Sequence, residues 1–280
     1  MHYVLTLSCP DRPGIVRALA EGVVSVGGNI VENAQFSDPV TGIFCMRTHF
    51  EADRDDTDGV RAALAAQVAA YQPMLTIRPV QVRRRALIMV SKFDHCLVDL
   101  LYRWQIGELP VELPVVVSNH EDCREIVERA GVPFEHIPVT GATKPEAEAA
   151  LLGLVEEHDV DFVVLARYMQ VLSDDLCRTL SGRMINIHHS FLPGFKGAKP
   201  YHQAYARGVK LIGATAHYVT ADLDEGPIIE QDVVRVSHAD DASTLVSIGR
   251  DVERRVLSHA VRLHAEDRVF LTGARTVVFD

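Results

Sequence analysis

Hydrophobic and polar positions follow two rhythms along the chain, and the change falls near residue 80. In "HYVLTL" (His2 to Leu7) β-branched and apolar residues alternate with polar ones, which predicts a strand. After the turn "CPDRPG", Ile15, Leu19, Val23 and Val26 recur at helical spacing from Gly14 to Val26, and "GGN" at Gly27 to Asn29 ends that helix with residues that tolerate positive φ. "IVENAQFSD" and "GIFCMRTHFE" predict two strands around the turn "SDPVTG", Val60 to Tyr71 a second amphipathic helix, and "MLTIRPV" a closing strand. The order βαββαβ is the split-βαβ arrangement of ferredoxin-like folds.

Beyond a basic run at Arg83, Arg84 and Arg85 the pattern changes. Short apolar segments without alternation ("ALIMV", "LPVVVSN", "FVVLA") are separated by helical stretches at Leu97 to Gln105, Glu121 to Ala130 and Pro145 to Glu157. Unalternating apolar strands between helices predict a doubly wound, mostly parallel sheet covered on both faces, so the fold class is α/β in two parts. The expected boundaries are a ferredoxin-like domain over 1–82, a linker over 83–86 and the second domain over 87–280. Ligands of such sheets sit beyond the carboxyl ends of the strands. That directs attention to "SKFDH" (91–95), "SNHED" (118–122), "RYMQVL" (167–172), "NIHHS" (186–190) and "TADLDEGP" (220–227).

Composition narrows the function. Twenty-eight basic residues against 38 acidic give a net charge of -10, so no general nucleic-acid footprint exists, and the three arginines read as a solvated linker. Five scattered cysteines without a CxxC pair fit reduced thiols in a cytoplasm. The N-terminus lacks a basic n-region and a long apolar stretch, and no segment has the apolar length of a membrane span. Neither a dinucleotide fingerprint nor a Walker loop stands in strand–helix context.

The chemistry concentrates in "INIHHSFLPGFKGAKPYHQAYARG" (Ile185 to Gly208). On a strand, Asn186 and His188 share a face. Asp224 lies on the acidic turn between the strands "LIGATAHYV" and "PIIEQDVVRV". An amide donor, an imidazole and a carboxylate converging on one crevice suit acyl-group chemistry: Asn186 donates to an oxyanion, His188 moves protons and Asp224 orients it. A zinc site from His188, His189, His217 and Asp224 is the rival reading. Lys92, His95, His189 and Lys199 are secondary candidates near the strand mouths.

Two resemblances sharpen these expectations. "LTLSCPDRPGIVRALAEGVVSVGGNIVENAQ" resembles the opening of ACT domains, which pair side by side and hold a small ligand, often an amino acid, at the interface. This implies a ligand site near Asp11, Arg12, Pro13, Gly14 and Asn29, or a module that only dimerises. "NIHHSFLP" followed by "GATAHYV" and "LDEGPIIEQ" resembles the folate-dependent formyltransferase family over about residues 86–280. The resemblance implies Asn186, His188 and Asp224 as the catalytic set. It also implies folate binding largely by main-chain groups of Arg167, Tyr168, Met169, Gln170, Val171 and Leu172, with Asp222 beside them, and neither metal nor cofactor. Within that family, an ACT domain joined to this catalytic domain is the architecture of the formyltetrahydrofolate deformylase branch. Glycinamide ribonucleotide formyltransferases carry a Gly-rich phosphate loop after the first strand. Here "VSKFDHCLVDL" has no glycine there, and Phe93 and Asp94 would crowd or repel a phosphate. The expectation is therefore hydrolysis of 10-formyltetrahydrofolate to tetrahydrofolate and formate, supplying formate for purine synthesis, by a homodimer or homotetramer. Transfer to an amine acceptor such as glycinamide ribonucleotide, or a non-catalytic amino-acid or folate sensor, are the alternatives.

Overall fold

The computed structural model describes residues 1–194 and 200–280, so Lys199 lies outside the described residues. The chain divides into two compact units, Met1–Arg83 with Glu266–Asp280, and Arg84–Ala265.

The first unit contains β1 (His2–Pro10), α1 (Ile15–Ser25), β2 (Gly28–Asp38), β3 (Ile43–Ala52), α2 (Thr57–Val68) and β4 (Met74–Pro79). Its four strands form an antiparallel sheet in the order β2-β3-β1-β4, as the split-βαβ reading expects. One face is apolar because the strand period places Tyr3, Leu5, Leu7 and Cys9 together, and the helical period turns Ile15, Leu19 and Val23 of α1 and Val60, Leu64 and Val68 of α2 onto them. The second helix starts three residues before the expected Val60 because the Asp56 carboxylate accepts from Gly59 N and caps it; its last turn, Ala69–Tyr71, tightens to 3-10.

The second unit contains β5 (Arg84–Val90), α3 (His95–Gln105), β6 (Val111–Glu112), β7 (Val116–Ser118), α4 (Arg124–Arg129), β8 (Phe134–His136) and α5 (Lys144–Glu157). It continues with β9 (Phe162–Leu165), α6 (Asp174–Thr179), β10 (Met184–His188), α7 (Pro200–Arg207), β11 (Leu211–Tyr218), β12 (Ile228–Arg235) and α8 (Ala242–Ala265). The sheet order is β12-β11-β10-β9-β5-β7-β8, with β6 alongside the start of β5. From β10 to β8 the strands run parallel; β11 and β12 are antiparallel additions at one edge. Arg84 and Arg85 open β5 and are not linker: Arg84 pairs with Asp161 at 3.2 Å, and Arg85 reaches Glu112 at 2.5 Å while its backbone N–H donates to Asp161 at 2.7 Å. Acidic partners on neighbouring elements absorb the basic run.

The C-terminal end departs from the expected 87–280 boundary. After α8 the chain forms a hairpin, β13 (Val269–Thr272) and β14 (Arg275–Val278), that belongs with the first unit. Arg47 Nε donates to Glu266 O at 3.0 Å, Arg78 pairs with Asp267 at 2.7 Å, and Arg275 pairs with Asp38 at 2.9 Å. These partners are over 180 residues apart in sequence, out of reach of any local pattern.

Candidate active site

β10 lies between β9 and β11, and its carboxyl end delivers Asn186 and His188 on one face, while Ile185 and Ile187 are buried on the other. Asn186 stands opposite His217 of β11, and its Nδ2 donates to His217 Nε2 at 3.2 Å. His217 Nδ1 in turn donates to Tyr218 O at 2.9 Å, which leaves Nε2 as the acceptor and assigns both the tautomer and the amide orientation. Burial pushes the His217 pKa down, so the ring is neutral. Asn186 keeps its second N–H for another acceptor.

The turn after β11 brings in the carboxylate. Asp224 adopts φ 57. Two residues on, a Cβ on Gly226 would sit 1.7 Å from Tyr218 O, so only glycine lets this turn fold back against β11. His188 Nδ1 and Asp224 Oδ1 are 3.2 Å apart, and His217 Nε2 is 3.9 Å from the same oxygen. Burial works to raise the Asp224 pKa, but the hydrogen bond from His188 and the surrounding imidazoles outweigh it and hold the carboxyl below its ordinary range. With Nδ1 on the carboxylate, His188 Nε2 is buried without a hydrogen-bond partner among the described residues. The imidazole is oriented at one nitrogen and unengaged at the other, as a proton-transfer group requires.

Asn186, His188 and Asp224 line a single cavity of about 650 Å³ with every residue expected to hold folate: Arg167, Tyr168, Met169, Gln170, Val171, Leu172 and Asp222. Ser91 anchors the 167–172 segment: its backbone N–H donates to Arg167 O at 3.3 Å, its Oγ accepts from Met169 N at 2.9 Å, and its hydroxyl donates to Asn119 Oδ1 at 2.7 Å. Tyr168 is half-buried, and the loss of solvent pushes its phenol up to about 12. Lys92 is exposed and does not line the cavity, whereas His95 and His189 do. His189 stands edge-on to His188 and to Tyr201, and burial with the Arg167 charge pushes its pKa down to about 3.

The same cavity has a polar wall centred on Glu253 of α8, which is 1% exposed. Its Oε1 accepts from Tyr201 Oη at 2.7 Å, and its Oε2 lies 2.9 Å from His95 Nε2 and 3.3 Å from Arg167 Nε. Burial works to raise the Glu253 pKa, but His95, Arg167 and Tyr201 outweigh it and keep the carboxyl below its usual range. Sequence reading passed over Glu253 and Tyr201. A trace existed for Glu253, a lone acid within the apolar stripe Leu245, Gly249, Val252, Val256 and Ala260. Phe93, expected to crowd a phosphate, lies instead under Arg167 and Arg250, with their guanidinium carbons 5.5 and 5.8 Å from its ring centre.

In both candidate metal clusters ligand atoms already have protein partners. Ligand atoms of His95, Cys96 and Glu253 lie within 4.8 Å of one another, but the Arg167 charge stands 3.3 Å from the carboxylate and burial pushes the Cys96 thiol up, both against a dication. In the His188, His217 and Asp224 group, both His217 nitrogens and His188 Nδ1 are spent on protein partners.

In the first unit, Asp11, Arg12, Pro13 and Gly14 form the entry to α1, with the Arg12 guanidinium over the Tyr71 ring at 5.5 Å and Tyr71 Oη donating to Pro13 O at 3.4 Å. Asn29 is the second residue of β2 and pairs with Glu51, itself opposite His2. Pro10 pairs with Ile43 at the other end of β1. Within one chain, the two halves of the expected ligand site therefore lie at opposite ends of the sheet.

The formyl transferase family model matches residues 84–261. The chain is 52% identical over 280 residues to a formyltetrahydrofolate deformylase of Corynebacterium sp. strain P-1, covering 99% of this chain and 98% of the relative. It is similar to the crystal structure of formyltetrahydrofolate deformylase from Burkholderia mallei, with TM-score 0.96, 49% identity, and 100% and 99% of the two chains covered. A glycinamide ribonucleotide transformylase from Symbiobacterium toebii is similar over 73% of this chain and 97% of its own, with TM-score 0.67 and 33% identity. The near-complete coverage by the first two, against partial coverage by the third, places the extra N-terminal unit with the deformylases, and the chain belongs to the formyltetrahydrofolate deformylase family of the formyl transferases.

Proposed function

We propose that the protein hydrolyses 10-formyltetrahydrofolate to tetrahydrofolate and formate, with water as the acceptor and Asn186, His188 and Asp224 as the catalytic set. The observation that carries this reading is the His188 ring, held at Nδ1 by Asp224 and unengaged at a buried Nε2 in the cavity wall. Nε2 takes a proton from water as its oxygen bonds to the formyl carbon. The carbonyl oxygen becomes an oxyanion, and the free N–H of Asn186 donates to it. Nε2 then returns the proton to N10 as the C–N bond breaks, releasing tetrahydrofolate and formic acid, which ionises to formate. Asp224, kept charged, stabilises the imidazolium between the two transfers. The pterin lies along the 167–172 segment, and the reaction needs no metal or cofactor.

The loop after β5 has no glycine to bring its backbone N–H groups onto a phosphate, which supports water over a ribonucleotide acceptor. The formate released feeds purine synthesis and balances the one-carbon folate pools. The first unit pairs copies of the chain into a dimer or tetramer and takes an amino-acid effector. Its edge strand β2 exposes Val31 (52%) and Phe36 (46%), in keeping with such pairing. The buried, unpaired state of all five cysteines is in keeping with a cytoplasmic location, and no helix of the described residues is long and apolar enough to cross a membrane.

The test is the release of tetrahydrofolate and formate from 10-formyltetrahydrofolate with no acceptor present. Steady acceptor-free turnover supports hydrolysis. Turnover only when glycinamide ribonucleotide is added makes the protein a transferase, and none under either condition makes it a sensor.

A further inference from the structure

Arg167 has a backbone that favours glycine and a side chain the proposed mechanism does not use. Its φ is 65, in the left-handed region that side chains rarely adopt. An arginine held in such a conformation beside a cavity directs attention to what the side chain does there. The residue is buried, and its guanidinium lies in the cavity wall that also contains His188 and His189.

The surroundings hold the guanidinium and leave its donors open. Phe93 covers one face, and Arg250 shares that ring. Glu253 offsets the charge at 3.3 Å from Nε, but the alignment makes no hydrogen bond, and Nε is buried without a partner among the described residues. Both Glu253 oxygens are committed to Tyr201 and His95. Among the described residues its ion pair is with Glu253, through Nε, not through the Nη nitrogens at the end of the fork. A guanidinium has five N–H donors in a planar fork, and with its face covered by an aromatic ring, recognition remains at the in-plane edge, which matches a carboxylate.

The proposed reaction releases the smallest carboxylate. On that reading of the function, we propose that Arg167, held by Glu253 and Phe93, is the formate-binding site of the catalytic cavity. The folate glutamate tail offers the same chemistry. The formate assignment is favoured because the Arg167 side chain is only 10% exposed and sits beside His189, which contacts the catalytic ring. Arg167 thereby receives the product after the C–N bond breaks and sets how strongly formate inhibits turnover.

The test is formate inhibition of the full-length enzyme, with [13C]formate binding followed by NMR as a measure independent of turnover. Arg167→Met should weaken formate tenfold or more in both measurements, exceeding any change in KM for 10-formyltetrahydrofolate, and Arg167→Lys should recover part of the loss. Because Arg167→Met strands the buried Glu253 charge, Arg167→Met/Glu253→Gln is measured beside it, with folding checked by circular dichroism. Formate affinity unchanged in the folded double variant overturns the proposal. So does a KM effect that matches the formate effect and vanishes with 10-formyltetrahydropteroate, which lacks the glutamate tail; the cation then reads that tail. A wild-type protein that binds formate without deformylating overturns the hydrolase reading and leaves the anion site standing.

Discussion

His188 Nδ1 stands 3.2 Å from Asp224 Oδ1, although the two residues are 36 positions apart (224 − 188) and belong to a strand end and a turn. Asp224→Asn keeps the shape but removes the charge that stabilises an imidazolium, and the new amide can reverse the ring tautomer so that Nε2 carries the proton. A loss of about 10²–10⁴ in kcat is expected by analogy with charge removal in hydrolase triads. The measurement is kcat across pH, and an unchanged rate and profile would separate Asp224 from His188.

Asn186 acts through an amide whose orientation His217 sets. Asn186→Ala removes the oxyanion donor, and about 10²–10³ in kcat should go with it. His217→Phe leaves the amide in place without its acceptor, so kcat should fall by a smaller factor while KM changes little. If His217→Phe retains wild-type kcat, the ring does not position the amide.

Two buried histidines link stability to pH. The His189 pKa is pushed down to about 3 and that of His217 is also lowered, so in the folded state both stay neutral where an unfolded histidine takes a proton. With folded values below unfolded ones, unfolding takes up protons, and stability falls as pH drops through the ordinary histidine range. The slope is about 1.4 kcal/mol per pH unit for each fully shifted group. Denaturant unfolding at pH 7.5 and 5.5 should differ by about 1–2 kcal/mol at the lower pH's expense. His189→Gln should flatten this dependence, and an equal slope in the variant would point to other groups.

Two helical glycines should respond oppositely to alanine. A Cβ at Gly249 of α8 would meet the Tyr201 ring at 2.1 Å, so Gly249→Ala forces Tyr201 off Glu253 at a cost of about 1–3 kcal/mol. Gly153 of α5 has nothing within 4 Å, and Gly153→Ala should add about 0.5–1 kcal/mol by helix propensity. Thermal unfolding of the two variants decides it; a stabilised Gly249→Ala would mean the Tyr201 ring moves freely.

Legibility followed the range of the interactions. Asn186 and His188 were readable because a strand's period of two puts them on one face, and the parallel core because unalternating apolar runs require covering on both sides. The capped start of α2 at Asp56 was missed although its signal was local. Glu253 was missed because its meaning rests on Arg167, His95 and Tyr201, brought to α8 from three other places in the sequence. The segment from Glu266 to Val278 looks like a tail of the second segment until Asp38, Arg47 and Arg78 meet it from more than 180 residues away.

That returning segment also governs how the protein can be dissected. The chain leaves the first unit at Arg83 and rejoins it at Glu266, so the catalytic unit is an insertion within the N-terminal one. No single cut yields two whole pieces. A fragment ending at Arg83 exposes Arg78 and Asp38 without their partners, and one beginning at Arg84 carries a ribbon whose own partners are gone. Clean separation takes two cuts, or a circular permutation that links Asp280 to Met1 and opens the chain between Arg83 and Arg84, after which one cut before Glu266 suffices.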